Sequence, residues 1–568
     1  MPNQKPMMMK KLVGTLFLVF LFVGCDQEIN TPEGLPPEVQ QLPPAKNYLD
    51  GYLAKASDLV ARLNSNAQAV QERFSLTELQ LDEAISARRQ FRIEQTTASK
   101  DKPKEGEIQV PQDYPTLQEA IDNSQPNGKI KVKGDLGFAE GYILVDVPGL
   151  QIEGEGKASV SGSFLILIAE NVTINKLDLD IVLVIAPQAV GAQILKNSFI
   201  PSVNTTNFSG VAILMIGATD CMLKDNDITD KEGNLHWGIL GTDCANNQFV
   251  SNTISGGPAT EGHIELYQSA PDQGTRNNVI KDCKLINGGV ASGGSALRIT
   301  GVRSGNVISG CSVKNVAYNG IILQGNNNLL GPILGNDNQI VDCDVQNYAG
   351  FGIRMENESH GLIGKCKVNN KKADTAETLG SEGIGLFGIS GTIVDCSSSS
   401  NNGGGIVVFG NPTGSGSANA ILNCKANDNR YFGIFYFGGG EENATALIKD
   451  CEANNNRDLD NWGSILLQST GRGSTYTIAK CKINDNTGAC SAGLVAYADP
   501  GLSANWIIED NDISKNFVGI HLENATMATL SHNKAKKNGG CDLDQVNTSG
   551  TVLQNNQFER ICIDQTCD

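Results

Sequence analysis

The sequence predicts an all-β chain wound into a right-handed parallel β-helix of about fifteen coils over residues 107–568, on three observations. Apolar residues alternate with polar ones in pieces of about four residues, too short for the periodic runs of a helical repeat. A Cys or Asn recurs every twenty to thirty-odd residues at one place in that pattern. The composition, with 63 Gly, 6% aromatic and 19% charged residues, suits many short strands joined by tight turns.

In chain order, residues 1–24 read as an export signal. Lys10-Lys11 precede an apolar run from Leu12 to Val23, too short for a permanent span and suited to a secretory core. The run ends in Phe22-Val23-Gly24-Cys25, which resembles the lipobox of bacterial lipoproteins, with Phe22 where that family usually has Leu. The resemblance implies cleavage before Cys25, diacylglycerol on its thiol, and a lipid-anchored protein of the outer membrane or cell surface. The other reading is an ordinary cleaved signal with Cys25 incidental. Residues 25–45, with Pro32, Pro36, Pro37, Pro43 and Pro44, form a semi-extended tether. Over residues 46–96, Leu49, Tyr52, Leu53, Ala56, Leu59, Val60 and Leu63 recur at helical spacing. Ser75-Leu76-Thr77-Glu78 fits a capping box, so a helical hairpin or stalk is expected there. Residues 97–106 are a second linker.

Val110-Pro-Gln-Asp-Tyr-Pro-Thr-Leu-Gln-Glu-Ala-Ile121 reads as a short amphipathic helix feeding a first strand at Gly128–Gly134. The coils follow. Val307-Ile-Ser-Gly-Cys-Ser-Val313 leads to Asn319-Gly-Ile-Ile-Leu323, and Ile340-Val-Asp-Cys-Asp-Val345 to Phe351-Gly-Ile-Arg-Met355. Ile421-Leu-Asn-Cys-Lys-Ala426 leads to Phe432-Gly-Ile-Phe-Tyr436, and Ile508-Glu-Asp-Asn-Asp-Ile513 to Val518-Gly-Ile-His-Leu522. With the Cys/Asn place as index, positions 177, 197, 226, 252, 283, 311, 343, 366, 396, 424, 451, 481, 511, 533 and 556 align, Leu177 filling the first. At one strand spacing per coil the stack is about 70 Å long. Asn287, Asn315, Asn347, Asn370, Asn427, Asn455, Asn484, Asn516 and Asn538 follow the index by three to five residues, where a turn tolerates left-handed backbone and stacked amides can bond. This pattern resembles the asparagine ladder of the pectate-lyase superfamily over about four-fifths of the chain. The segment from Val110 resembles the N-terminal cap helix of pectin-lyase-like proteins, which covers the first coil.

Eight index residues are Cys: Cys283, Cys311, Cys343, Cys366, Cys396, Cys424, Cys451 and Cys481. Stacked side by side they suit small buried hydrophobes, since parallel Cβ directions disfavour disulfide geometry; bridges between coils are the rival reading. Cys221 and Cys244, in matching Thr-Asp-Cys turns, and Cys562 and Cys567 near the C-terminus, are the disulfide candidates. Without any Cys-x-x-Cys pair, no metal site is expected from the cysteines.

In Gly-Ile-x-apolar, x and the residue two further on point outward and line up from coil to coil. Reading upward, the columns run Glu265/Tyr267, Arg298/Thr300, Ile322/Gln324, Arg354/Glu356, Gly385/Phe387, Val407/Phe409, Phe435/Phe437, Val495/Tyr497 and His521/Glu523. A charged zone thus gives way to an aromatic one. His263, Arg298 and Arg354, with Glu265 and Glu356, are the candidate acid/base set, against the reading that isolated charges are merely solvated. Phe387, Phe409, Phe435, Phe437 and Tyr497 are candidates for stacking on sugar rings, against the reading that they pack under loops. Asp178/Asp180 and Asp458/Asp460 are acidic pairs suited to Ca²⁺ but common on solvated turns, so no cofactor is assigned.

The net charge of −18 becomes −21 once residues 1–24, with Lys5, Lys10 and Lys11 and no acids, are removed. That balance argues against a general nucleic-acid or anionic-membrane binder and, less strongly, against an acidic glycan. The family resemblance implies a protein that binds or processes an extracellular polysaccharide, as lyase or hydrolase if an enzyme. The chain lacks the paired-Asp and Gly-His-Gly pattern of polygalacturonases, the Asp-Pro-His-Asp of alginate epimerases and the Arg-x-Pro-x-x-Arg of pectate lyases. The second reading is a non-catalytic adhesin or spacer. A monomer is expected, touching the membrane only through its lipid.

Overall fold

The computed structural model describes Ser86 and residues 106–563, apart from 138–141, 201–209, 269–273, 289–293, 318, 326–334, 357, 371–381, 389, 411–417, 439–441, 458–462 and 489–490. The export signal, Cys25, the tether, all of the expected stalk but the helical Ser86, Asp458/Asp460 and Cys567 lie outside the described residues. No described helix is long and apolar enough to cross a membrane.

The first coil opens with β1 (Glu107–Val110), continues through α1 (Leu117–Asp122) and returns in β2 (Lys129–Gly137). Thr116 caps α1 by accepting from the Glu119 amide at 3.2 Å, and Leu117, Ala120 and Ile121 are buried. β1 pairs in parallel with β2, Val110 opposite Val132. The helix therefore stands inside the first coil and is not the first element, as the sequence had suggested.

From there the chain is a stack of three-strand coils with every pairing parallel. One coil runs Val279–Lys281, Lys284–Gly288 and Ser295–Thr300; the next repeats it at Val307–Ser309, Ser312–Val316 and Asn319–Gln324, in register strand by strand. Such short strands cannot bury an apolar face alone, and stacking gives each coil two neighbours. Ile280, Ile308, Ile340, Ile363, Ile393 and Ile421 form one inward column, all at most 1% exposed. Residue i opposite i of the next coil keeps like on like, so no layer demands a change of volume.

The pairing registers carry the index from Leu177 to Asn556 without a slip. At its Asn positions the column is a buried amide ladder. The Asn226 Oδ1 accepts from the Asn197 main-chain amide at 3.0 Å, and its Nδ2 donates to the Ile194 carbonyl at 2.8 Å and to Asn252 Oδ1 at 2.9 Å. The cysteines continue the same pattern with a smaller group. The Cys311 thiol lies 3.6 Å from the Ile280 carbonyl, and Cys396 Sγ accepts from the Cys366 amide at 3.4 Å. All eight are buried and free. Immediately before each index residue, from Lys176 to Asn555, the backbone turns through a left-handed residue, Asp being the most frequent. Asp tolerates that conformation through local hydrogen bonding.

Two expectations need correction here. Cys221 and Cys244 are buried free thiols, because they too face inward; the bridge at the end of the stack joins Cys562 to Cys541, with 6.0 Å between their Cα atoms. The single Asn ladder expected after the index is several. Asn287, Asn315 and Asn347 form a surface run, Nδ2 to Oδ1 at 3.2 and 2.9 Å. Asn427 and Asn484 join through Asn454, while Asn516 and Asn538 end a buried ladder rising from Asn401 through Asn429, Asn456 and Asn486. Asn370 is buried apart, donating to the Tyr348 carbonyl, and Asn455 is a left-handed turn residue. A spacing window of three to five residues spans the outward end of a strand, the turn after it and the inward residue beyond, so it mixed distinct columns.

Candidate functional site

The third strand of each coil carries two outward columns, and the registers confirm their order. Glu265, Arg298, Ile322, Arg354, Gly385, Val407, Phe435, Leu466, Val495, His521 and Asp544 stand on successive strands. Tyr267 opens the second column, which above Thr300 runs Gln324, Glu356, Phe387, Phe409, Phe437, Gln468, Tyr497 and Glu523. Leu466 and Asp544 lie outside any Gly-Ile-x-apolar match, which is why the motif alone passes over them.

The charged zone is closed. Arg298 is 1% exposed and Glu265 2%. Glu265 Oε2 accepts from Trp237 Nε1 at 3.0 Å and from the Tyr267 hydroxyl, and Arg298 Nη1 lies 3.4 Å from that hydroxyl and 4.0 Å from Glu265 Oε1. Burial pushes the Glu265 carboxyl up, while Arg298 and the two donors pull it back. Burial, and then the charge of Glu265, hold the Tyr267 phenol well above its usual range. Two coils on, Arg354 pairs with Glu356, and its guanidinium lies 4.8 Å from the Phe351 ring centroid and 4.5 Å from that of Phe387. A cation between two rings and beside a carboxylate is at once paired and desolvated.

The aromatic zone continues this cover. Phe387 stacks on Phe409 at 5.1 Å, and Phe409 meets Phe437 at 5.4 Å and Phe435 at 5.8 Å. Phe435 is buried and Phe409 nearly so, while Phe387 and Phe437 are half-exposed. One column thus offers a staircase of rings, one per coil, in which Phe387 and Phe437 are partly open on either side of buried Phe409.

At the top the face opens. His521 is held between two carboxylates, Nδ1 2.8 Å from Asp544 Oδ2 and Nε2 3.4 Å from Glu523 Oε2. Burial works against its charge, but the hydrogen bonds to Asp544 and Glu523 outweigh it and lift the imidazole to about 9. One coil below, half-exposed Tyr497 sits beside Asp499, which also takes the Gln468 amide at 3.4 Å. Burial, then the charges of Asp499 and Glu523, push the Tyr497 phenol up to about 12, and burial raises the Asp499 carboxyl. Tyr497, Asp499, His521 and Glu523 are all half-exposed, in contrast with the closed zone below them.

His263 does not join the acid/base set. It lies at a strand corner with its ring inside the coil, where Nε2 donates to the Asn287 carbonyl at 2.8 Å and the Ile286 carbonyl at 3.2 Å. Burial disfavours its charged form. The expected Glu265, Arg298, Arg354 and Glu356 are on one face, but as two separate buried pairs. Asp178 and Asp180 belong to an early strand, and among the described residues no three His, Cys, Asp or Glu side chains are grouped to hold a metal ion. Asp499 follows its strand in a turn with no repeat motif, so spacing gave no signal for it.

The family profile described as a right-handed β-helix region matches residues 295–471 and 448–558. No curated protein matches the chain. Among solved structures, the catalytic domain of a GH87 α-1,3-glucanase in complex with nigerose is 14% identical over 72% of this chain and 70% of that one, TM-score 0.42. The same domain with tetrasaccharides is 14% identical over 68% of this chain, with TM-score 0.40, and the match spans 66% of that domain's length. The receptor-binding tailspike protein of bacteriophage Det7 is 13% identical over 76% of this chain and 75% of that one, TM-score 0.34. With its parallel pairings from coil to coil and the matched repeat region, the chain is a right-handed parallel β-helix protein.

Proposed function

We propose that the outward face of the third strands binds an extracellular polysaccharide along the aromatic staircase and the open stretch above it. The observation that carries this is the Phe387–Phe409–Phe437 series, rings 5.1 and 5.4 Å apart on consecutive coils, with Phe387, Phe437 and Tyr497 half-exposed. A row of rings with partly open members on a rigid sheet suits a ligand that is itself a row of rings with apolar faces. The carboxylates and amide at its upper end supply acceptors and a donor for hydroxyl groups.

The buried Glu265–Arg298 and Arg354–Glu356 pairs serve the fold under this reading, since a group nearly shut off from solvent does not meet a polymer. Binding therefore stands ahead of catalysis at those residues. Under the same proposal, lipid attachment at Cys25, read from the lipobox resemblance, holds the protein at the cell envelope, and Cys25→Ser is expected to release it from the membrane fraction. The central test is affinity electrophoresis and calorimetry of the chain against a panel of neutral polysaccharides. The same incubations are assayed for reducing ends and for ultraviolet-absorbing unsaturated products. Retention lost in Phe409→Ala and Phe437→Ala supports the proposal. Absence of retention on every glycan overturns it and leaves the adhesin or spacer reading.

A further inference from the structure

The open stretch differs from the staircase in charge. Three carboxylates, Asp499, Glu523 and Asp544, gather around one half-exposed aromatic ring and one histidine. The histidine answers only part of their charge and is engaged at both ring nitrogens. Asp544 is 5% exposed; one of its oxygens takes His521, and the other, Oδ1, is buried with no hydrogen-bond partner among the described residues. A desolvated carboxylate oxygen without a donor calls for a cation or a donor. A metal ion is a poor answer, because His521 already lies between two of the acids and, among the described residues, no three candidate ligands are grouped to hold one. A compact N–H donor carrying positive charge answers the acidic excess, Asp499 and Glu523 accepting its hydrogen bonds, Tyr497 offering its ring face and buried Asp544 contributing its charge.

We propose that the Tyr497–Asp499–His521–Glu523–Asp544 cluster is a subsite for a protonated amine, and that the glycan carries free amino sugars. This rests on the polysaccharide reading above and narrows its substrate class. The amine lies against the Tyr497 ring and is held by Asp499 and Glu523, with Asp544 adding field from behind His521. The staircase below takes the uncharged part of the chain. The net charge of −18 acts in the same direction, drawing a polycation and repelling a polyuronate.

Calorimetric titration tests this on the whole chain with three hexasaccharides: glucosamine hexamer, its fully N-acetylated counterpart and maltohexaose, all at pH 6 and low salt. The free-amine hexamer is expected to bind about tenfold more tightly than the acetylated one, the difference shrinking with added salt. Glu523→Gln and Asp499→Asn are expected to remove most of that difference, weakening the free-amine hexamer far more than maltohexaose. His521→Gln, which removes the cluster's own cation, is expected to enlarge it. Equal affinity for the free and acetylated hexamers overturns the amine subsite while the staircase reading survives. Preference for the amine that persists in Glu523→Gln and Asp499→Asn also overturns it, as does equal capture of a lysine pentapeptide. Failure of all three sugars to bind overturns the polysaccharide reading itself.

Discussion

Two stretches of one face, around Glu265–Glu356 and around Tyr497–Asp544, share their columns, their register and their polar character, yet one is shut and the other half-open. In the lower stretch each charge has been given a local answer: Arg298 beside Glu265, Arg354 on Glu356 and between two rings. In the upper stretch the histidine is shared between two acids and acidic charge remains in excess. The difference teaches that a column position in a solenoid fixes direction but not accessibility. Outward residues become interior when something lies over them, and then they must be paired as any buried charge is.

The largest expected effect comes from breaking a pair in the closed stretch. Arg354→Ala removes the guanidinium between Phe351 and Phe387 and leaves Glu356 buried without its partner, at a cost of about 3–5 kcal/mol. Replacing both residues with apolar ones of similar volume is expected to recover most of that loss. Glu523→Gln in the open stretch, where the carboxylate is 38% exposed, is expected to cost under about 1 kcal/mol. Urea denaturation of the three variants measures the contrast, and equal losses at Arg354 and Glu523 would erase it.

The inner column changes along the same axis. In the coils that carry Arg298 to Tyr497 the index residues are thiols; in those that carry His521 and Asp544 they are asparagines, Asn511 and Asn533, as Asn252 is in the coil of Glu265. Asn533 donates to the Ile508 carbonyl at 2.7 Å and to Asn556 at 3.0 Å, and accepts from the Asn511 amide at 3.1 Å and side chain at 2.9 Å. Asn533→Ala is expected to cost about 2–3 kcal/mol, and Cys396→Ala about 1 kcal/mol, because a thiol makes weaker bonds and leaves a smaller void. Equal costs would mean that the ladder's hydrogen bonds contribute nothing beyond filling space.

Much of this was legible beforehand, and the reason is the repeat. Fifteen index positions read from Cys and Asn spacing coincide with the register because a solenoid copies one local solution many times, and repetition averages out local ambiguity. The order of Glu265, Arg298, Arg354 and His521 in one column followed from the same copying. Their burial did not. His263 looked like a neighbour of Glu265 two residues away, but the strand bends at that corner and turns its side chain inward. Cys221 and Cys244 looked like exposed turn cysteines; the residue that takes the turn is the preceding Asp220 or Asp243, at positive φ. Asp499 and Cys541 fall where the repeat motif lapses, and no pattern pointed to them.

His521 sharpens the comparison through pH. Its imidazole is raised to about 9 in the folded chain, chiefly because the Asp544 and Glu523 hydrogen bonds outweigh burial. A group with a raised folded value stabilises the fold fully below its unfolded value of about 6.5, and that contribution is lost as pH rises through about 9. With the side chain 13% exposed, a loss on the order of 2 kcal/mol is expected between pH 6 and pH 10. His521→Gln is expected to flatten this limb of the stability profile, whereas Arg354→Ala lowers the whole curve and leaves the limb in place. A limb that survives in His521→Gln would assign it to another group.

A small stability change, and the most direct reading of the boundary between the two stretches, is expected from Phe437→Ala. The ring is half-exposed and touches Phe409 at 5.4 Å and Phe435 at 6.5 Å, so its loss costs about 1 kcal/mol, well below the cost of truncating buried Phe435. Binding is where it should show: if the staircase carries the sugar chain, Phe437→Ala weakens maltohexaose about tenfold, and Tyr497→Ala weakens it less. The opposite order, Tyr497 dominant and Phe437 silent, would confine the ligand to the open stretch. The phenylalanines would then be an extension of the closed one, rings packed over the coil for stability alone.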